Sequence, residues 1–153
     1  DPRFIARRIA ICAAEDIGLA HPNLLNIVNS AWQLIEKIGM PEARIILAQV
    51  AVLVAISPKS NSAYMGIENA LADVRKGKIF DVPTHLKDAS KDGVLGHGKN
   101  YKYPHDYERH FIKQQYLNNE FEGKYYKAGS EGQEKIYRDF LYRLWDKKND
   151  AEK

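Results

Sequence analysis

The sequence has 153 residues, of which 44% are hydrophobic and 28% charged, with a formal net charge of +3. This length and composition predict one compact domain and exclude a disordered chain, and the sequence shows no repeat period. No apolar run reaches the roughly 18 residues of a membrane span, and the single cysteine, Cys12, excludes a disulfide framework and a cysteine zinc site. We therefore expect a cytoplasmic domain, and the opening Asp1-Pro2 leads us to expect a part of a longer protein.

The first half of the chain predicts four helices in close succession. The first has Asp1 as its cap and ends at Gly18, and the next three run over residues 22–39, 41–57 and 60–77. Apolar residues recur at helical spacing in three of them. The residues expected to face inward are Ile5, Ile9, Cys12 and Ala13, then Leu24, Val28, Ala31, Ile35 and Ile38, and in the fourth helix Tyr64, Ile67, Leu71 and Val74.

The third of these segments, Ile45 to Ile56, is apolar on every side. Its β-branched residues would also suit a buried strand, but its length and helical neighbours favour a helix. A helix that is apolar all round must be covered all round. We therefore expect it to be the central helix, or to have its outer face covered by another subunit. The candidate core or oligomer face consists of Trp32, Val50, Val52 and Val54.

The second half of the chain has a different character, and it carries all of the positive charge excess and eight of the nine tyrosines. Residues 78–129 predict a long, loop-rich segment with only short helical turns, at 84–89 and 106–116. A capping box at Ser130–Gln133 then begins a closing helix over about 130–147. Its apolar stripe is Ile136, Tyr137, Phe140, Leu141, Leu144 and Trp145. The single domain thus has a helical core at about 1–77, the loop-rich segment and the closing helix.

Residues 93–100 match a phosphate-binding loop at both of its glycines and its lysine, with Asn100 in place of the magnesium-binding hydroxyl. Such a loop needs a buried strand before it and a helix after it. The preceding residues are polar and Pro104 follows closely, so we interpret the match as coincidental.

Metal binding and nucleophilic catalysis have weak support. His97, His105 and His110 with Asp106 include ligand types for zinc or manganese, but their spacing places them on no common helical face. We favour backbone hydrogen bonding by these side chains. Cys12 lies on an apolar helix face and is expected to be a small buried hydrophobe. We assign no catalytic, cofactor-binding or metal-binding residue.

A basic and aromatic segment stands out instead. Lys99 and Lys102 could neutralise phosphates, and Tyr101 and Tyr103 could stack on unpaired bases. The favoured alternative is structural, in which the tyrosines pin a long loop to the helical core with their hydroxyls at the surface.

Several segments in this order resemble one family, the RarA/MgsA replication-associated AAA+ ATPases, whose eukaryotic relatives include the Werner-helicase-interacting ATPase. The segments are Ala13–Ala20, Ile38–Arg44, Ser57–Asn61, Leu95–Asp106 and Gln114–Leu117. The resemblance covers nearly the whole chain and is to the family's C-terminal domain. It implies an all-α helical bundle, similar to the clamp-loader C-terminal collar, that assembles a homotetramer.

The resemblance also implies a division of labour within a longer protein. The ATPase domain with its Walker motifs, ATP and magnesium would lie upstream, and this chain would hold no cofactor. The whole protein would be a DNA-dependent ATPase at bacterial replication forks and the nucleoid. It would act in replication, recombination and repair, with single-stranded-DNA-binding protein as a partner and no membrane contact.

The sequence therefore predicts a non-catalytic oligomerisation domain, with a DNA-contacting module at residues 96–106 as the alternative. The family-signature loop that would make such a DNA or partner contact contains ten candidate residues. They are Gly96, His97, Gly98, Lys99, Tyr101, Lys102, Tyr103, Pro104, His105 and Asp106.

Overall fold

The computed structural model describes residues 1–88, 97–118 and 120–146, and within these ranges every regular element is helical. Its α-helices are α1 (Pro2–Cys12), α2 (Leu24–Ile38), α3 (Ala43–Ile56), α4 (Ser62–Arg75) and α5 (Gly132–Asp146). The predicted all-α class is therefore confirmed, and the third apolar segment is a helix rather than a strand. In the described part of the chain, no helix is both long enough and apolar enough to cross a membrane.

Where the structure describes it, the loop-rich segment contains only short turns. Three 3₁₀ turns are described, at Thr84–Leu86, Pro104–Asp106 and Glu108–His110. The helical turn predicted over residues 106–116 is wrong, since residues 111–115 follow no regular structure. Arg109 and His110 have positive φ angles of 59° and 54°, which no α-helix can accommodate. The end of the turn predicted over 84–89 lies outside the described residues.

The chain divides into two compact units. The first contains Asp1–Ile67 and the chain from Tyr126 onward, and the second contains Glu68–Tyr125. Helix α4 contributes its first residues to the first unit and the remainder to the second. The predicted division of one domain near residues 77 and 129 stays a prediction.

Helices α1, α2 and α3 pack against one another to form the core of the first unit. One cluster of buried residues lies near the end of α1 and the start of α2, and a second lies at the opposite ends of these helices. Ile9 packs against both clusters. The first cluster is Ala13, Ile17, Leu24, Val28 and Val54, and the second is Ala6, Ile35, Ala43 and Leu47.

Helix α1 begins as predicted but ends differently. The Asp1 side chain accepts a hydrogen bond from the Arg3 amide at 2.9 Å, and Pro2 occupies the first turn. The α-helix ends at Cys12, however, and a π-helical turn over Ala13–Ile17 continues to Gly18. Gly18 has a positive φ of 44°, and a Cβ atom there would lie 2.9 Å from the Ser60 carbonyl oxygen. Only glycine permits this close approach of two chain segments.

Helix α5 is anchored in the first unit by the carboxylate of Glu134, which is fully buried. The Ser62 hydroxyl at the start of α4 and the Tyr126 hydroxyl, at 2.9 Å, both donate hydrogen bonds to Glu134 Oε1. Burial by itself raises the pKa of Glu134, but hydrogen bonds from Ser60, Ser62, the Gly129 backbone and Tyr126 together outweigh this effect and lower the pKa overall. The carboxylate therefore joins the first turns of α4 and α5.

The second unit is organised around Phe121 and Asp73, which are both buried. The Phe121 ring centroid lies 4.2 Å from that of Phe80, and the Lys124 ammonium lies 4.9 Å from the Phe121 ring. Lys124 Nζ also pairs with Asp73 at 2.7 Å, and the Tyr125 hydroxyl donates to the same carboxylate at 3.2 Å. The hydrogen bond from Lys124 is the main cause of the lowered pKa of Asp73.

Several residues expected to face inward are exposed. Helical periodicity identifies an apolar face, but it does not identify what packs against that face. The inward expectation is wrong for Ile5 and Ile38, and for all four residues named in α4: Tyr64, Ile67, Leu71 and Val74. The α5 stripe forms on the predicted helix, yet Ile136, Tyr137, Phe140 and Trp145 are exposed.

Candidate functional site

One departure from a closed bundle is on α3. Helix α3 presents Leu47, Val50 and Val54 to the core, whereas its opposite face is exposed. The expectation that α3 is the central helix is therefore wrong. We call this exposed stripe the α3 outer face. It consists of Ile45, Ala48, Val52 and Ala55, which follow alternating steps of three and four residues, together with Ile56, four residues after Val52.

The α3 outer face is apolar and strongly exposed. Ile45, Val52 and Ile56 expose 63%, 58% and 74% of their surface. The sequence from Ile45 to Ile56 contains no charged residue and only one polar side chain, Gln49. A contiguous apolar strip of this kind is typical of a protein interaction surface.

The four residues predicted as a core or oligomer face divide between the two roles. Val50 and Val54 are buried in the core, and Val52 lies on the α3 outer face. Trp32 is half-buried and packs against the second core cluster, and its Nε1 donates a hydrogen bond to Glu36 at 2.9 Å. Of the four, only Val52 is fully on the exposed side of its helix.

The family-signature loop is described from His97 onward, and Gly96 lies outside the described residues. The Gly98 amide donates to the Thr84 carbonyl at 3.1 Å, and Gly98 and Asn100 both have positive φ angles, of 71° and 67°. The backbone of Lys102 is held on both sides by Gln114, which accepts from the Lys102 amide at 3.2 Å and donates to its carbonyl at 3.0 Å. From His97 to Tyr103 the loop therefore has a defined conformation without being a helix or strand.

The aromatic side chains of this loop lie at the surface. Tyr101 and Tyr103 expose 44% and 53% of their surface, and the structural alternative, in which they pin the loop to the helical core with their hydroxyls at the surface, stays a prediction. The His105 ring contacts those of Tyr103 and His110 in tilted arrangements, with ring centroids at 5.1 and 4.8 Å. Pro104 and Asp106 bound a 3₁₀ turn in which the Asp106 amide donates to the Tyr103 carbonyl.

A cleft of about 470 Å³ opens beside this loop, within the second unit. Three segments form its walls, at residues 84–85, 99–102 and 114–115. A hydrogen bond between His85 Nε2 and the Gln115 carbonyl, at 2.8 Å, joins the first of these segments to the third. The lining residues are Thr84, His85, Lys99, Asn100, Lys102, Gln114 and Gln115.

The arrangement does not favour nucleotide or metal chemistry. Of the phosphate-loop match, residues 93–96 lie outside the described residues, and the turn over 97–100 leads into irregular chain and a short 3₁₀ turn rather than a helix. Among the residues that the structure describes, no group of three or more His, Cys, Asp or Glu side chains could hold a metal ion.

Cys12 is half-buried against the first core cluster, close to its predicted role as a small hydrophobe. Its thiol donates to the Asp16 carboxylate at 3.0 Å, and this hydrogen bond, together with burial, raises the pKa of Cys12. A raised pKa disfavours the thiolate that a nucleophilic cysteine requires.

Reasoning from residue chemistry missed most of the cleft. Lys99 and Lys102 were found through their basic and aromatic context, whereas Thr84, His85 and Gln115 come from segments that are remote in sequence. Gln114 and Gln115 appeared only within a family-signature segment, and the 30-residue separation of His85 and Gln115 leaves no local pattern to read.

Comparison with known proteins identifies the class of protein to which this chain belongs. The family model described as "MgsA AAA+ ATPase C terminal" matches residues 1–145. Together with the all-helical architecture, this match defines the C-terminal helical domain of an AAA+ ATPase. The chain belongs to the MgsA family, which includes proteins named Replication-associated recombination protein A.

Relatives in bacteria and a eukaryote agree with this assignment. The chain is 47% identical to Replication-associated recombination protein A of Bacillus subtilis, over 96% of this chain and 35% of that protein. It is 38% identical to the Escherichia coli protein of the same name, over 69% of this chain and 24% of that protein. It is 35% identical to "ATPase WRNIP1" of Dictyostelium discoideum, over 71% of this chain and 13% of that protein. The chain thus spans about a third or less of these relatives.

Proposed function

We propose that this chain is the non-catalytic self-association domain of a replication-associated AAA+ ATPase, and that it assembles a homotetramer. The observation that carries the proposal is the exposed α3 outer face. Exposed apolar surface gathered along one helix face is a common mark of an interaction site. The most frequent partner of such a surface in soluble assemblies is a second copy of the same chain.

The composition of the α3 outer face suits contact with its own copy. A two-fold interface places the same patch on both subunits, so a charged patch would repel itself. The α3 outer face contains no charge, and Ala48 and Ala55 alternate with larger residues. Small residues between large ones provide grooves for the ridges of a facing helix. These features support packing of α3 against α3 of a partner.

The proposal is tested by comparing two substitutions that each add one negative charge. Val52→Glu places a carboxylate on the exposed α3 outer face, so we expect retained helicity but a smaller assembly in size-exclusion chromatography with light scattering. Gln33→Glu adds the same charge at an exposed position on α2 and should leave the assembly unchanged. A Val52→Glu variant that keeps the full assembly would refute the role of this face.

The activity of the whole protein is also proposed rather than observed. The relatives' names associate them with replication, recombination and ATPase activity. We propose that the parent of this chain is a cytoplasmic, DNA-dependent ATPase that maintains replication forks, with ATP and magnesium bound by a domain outside this chain. Single-stranded-DNA-binding protein is the proposed partner. Absence of any DNA-stimulated ATP hydrolysis by the parent protein would contradict this proposal.

Direct contact with DNA is a second candidate function, favoured by the exposure of the loop's side chains. Lys99, Lys102, Tyr101 and Tyr103 are all exposed at the surface. Lysines that neutralise phosphates give binding that weakens with salt, and exposed tyrosines can stack on bases. Fluorescence anisotropy with a labelled oligonucleotide should show binding that falls steeply as salt increases. No binding at low salt would exclude this function.

A further inference from the structure

The cleft of the second unit is built by segments that come from three parts of the sequence. The turn at Thr84–Leu86 forms one wall, residues 99–102 form another, and Gln114–Gln115 form the third. Its volume of about 470 Å³ falls within the range of about 300–1,000 Å³ that is typical of small-ligand sites.

Hydrogen bonds hold each wall of the cleft in place. The Thr84 carbonyl accepts from the Gly98 amide at 3.1 Å, which ties the first wall to the second. Gln114 pairs with the Lys102 backbone, which ties the second wall to the third. The bond between His85 and the Gln115 carbonyl closes the ring of contacts. A site held in this way loses little conformational entropy when a ligand binds.

The lining of the cleft suits an anion with hydrogen-bonding neighbours. Of the seven lining residues, two are lysines and none is acidic, and the others carry hydroxyl, imidazole or amide groups. Lysine ammonium groups are common phosphate ligands, and side-chain amides and hydroxyls bond phosphate oxygens, sugars and base edges. The lining therefore combines groups for a phosphate with groups for an attached nucleoside.

Exposed tyrosines lie close to the cleft in sequence. Tyr101 lies between Lys99 and Lys102, Tyr103 follows, and Tyr116 follows Gln115. Each of these rings is exposed, and the Tyr116 hydroxyl accepts a hydrogen bond from Gln114 at 3.0 Å. A tyrosine ring can stack on a base only where that base is unpaired. This arrangement favours a single strand over a duplex.

We propose that the cleft binds a phosphodiester group of a single-stranded nucleic acid. Lys99 and Lys102 neutralise the phosphate, Thr84 and Gln115 bond the adjacent nucleoside, and the neighbouring tyrosines stack on flanking bases. This inference rests on the direct DNA contact proposed above as the second function. It adds a defined site and the single-stranded form of the ligand, and it brings in four residues outside the 96–106 loop: Thr84, His85, Gln114 and Gln115.

The experiment measures anisotropy of a labelled oligothymidylate with the 153-residue chain across a salt series. Lys99→Gln with Lys102→Gln should weaken binding and reduce the slope of log affinity against log salt by about 0.7 for each phosphate that is no longer neutralised. Lys76→Gln with Lys127→Gln removes two exposed lysines outside the cleft and should change the slope little.

Uncharged variants test the cleft itself. Thr84→Val and Gln115→Leu should weaken oligothymidylate binding several-fold while leaving the salt slope unchanged, because they remove hydrogen bonds and no charge. In nitrogen–proton correlation spectra, the amides of Thr84, His85 and Gln115 should shift when the oligonucleotide is added.

The outcomes separate this inference from the function on which it rests. If the chain binds no oligonucleotide at low salt, both are wrong. If it binds, but Thr84→Val, Gln115→Leu and the cleft amides show no effect, DNA contact stands and the cleft assignment is overturned. A duplex that binds as tightly as the single strand overturns the strand preference. Inorganic phosphate that displaces the oligonucleotide completely at equal concentration identifies a free-phosphate site instead.

Discussion

Replacing Ser62 by alanine tests the buried carboxylate that joins α4 to α5. The Ser62 hydroxyl donates to Glu134 Oε1, and Glu134 is fully buried, so no solvent replaces the missing donor. A hydrogen bond to a charged group contributes about 1.5–3 kcal/mol. Alanine has the higher helix propensity and returns up to about 0.5 kcal/mol at this helix terminus. The expected net loss is about 1–2.5 kcal/mol in the free energy of unfolding.

Urea denaturation followed by circular dichroism measures this loss. Ser30→Ala is the matched control, because Ser30 is an exposed serine on α2 and the substitution should change stability by no more than about 0.5 kcal/mol. Tyr126→Phe removes the second donor to the same oxygen, and the two substitutions should not be additive. A Ser62→Ala variant as stable as the Ser30→Ala control would refute this account of Glu134.

Three further predictions concern the same fold. The pKa values of Glu134 and Asp73 are lowered in the folded state, so the stability that these carboxylates contribute is present above their unfolded-state pKa, near 4, and is lost as pH falls through their folded-state pKa values. Glu134→Gln should therefore flatten the acid side of a plot of urea midpoint against pH. An unchanged plot would contradict this. Gly132→Ala should lower the melting temperature, because the φ angle of Gly132 is +54° and the added Cβ would overlap the Ala20 carbonyl oxygen. An unchanged melting temperature would show that the chain relaxes freely at this position. Val54→Ala should lower the free energy of unfolding by about 1–3 kcal/mol, measured by urea denaturation, because Val54 is only 8% exposed. The same change at exposed Val52 should lower it far less. Equal losses would contradict the assigned faces of α3.

The helices could be predicted from the sequence because their signals are local. Asp1 and Pro2 begin α1, and Gly39 and Pro41 separate α2 from α3, each through backbone geometry that a few residues determine. The buried stripe of α2 was also predicted correctly from Leu24 to Ile35. Periodicity could not show that the opposite side of α3 stays exposed, because what covers a helix depends on other parts of the chain.

The sites depend on contacts that no short pattern contains. The buried bond between Ser62 and Glu134 joins residues 72 positions apart, and the bond between Lys124 and Asp73 spans 51 positions. Lys99 and Lys102 were predicted from their basic and aromatic context, but Gln114 contacts the backbone of Lys102, which any residue type would present. The chemistry of single residues was therefore predictable, whereas their assembly into a cleft was not.

Sedimentation equilibrium of the 153-residue chain tests the central claim most directly. If the α3 outer face is covered by another copy, the chain at tens of micromolar sediments at twice the chain mass or more; the two-fold contact through α3 accounts for a pair, and the proposed homotetramer, which needs a second contact between copies, sediments at four times the chain mass. The Val52→Glu variant should sediment at a lower mass while keeping its helical content. A wild-type chain that sediments at one chain mass at every concentration would contradict the proposal that this domain assembles the protein.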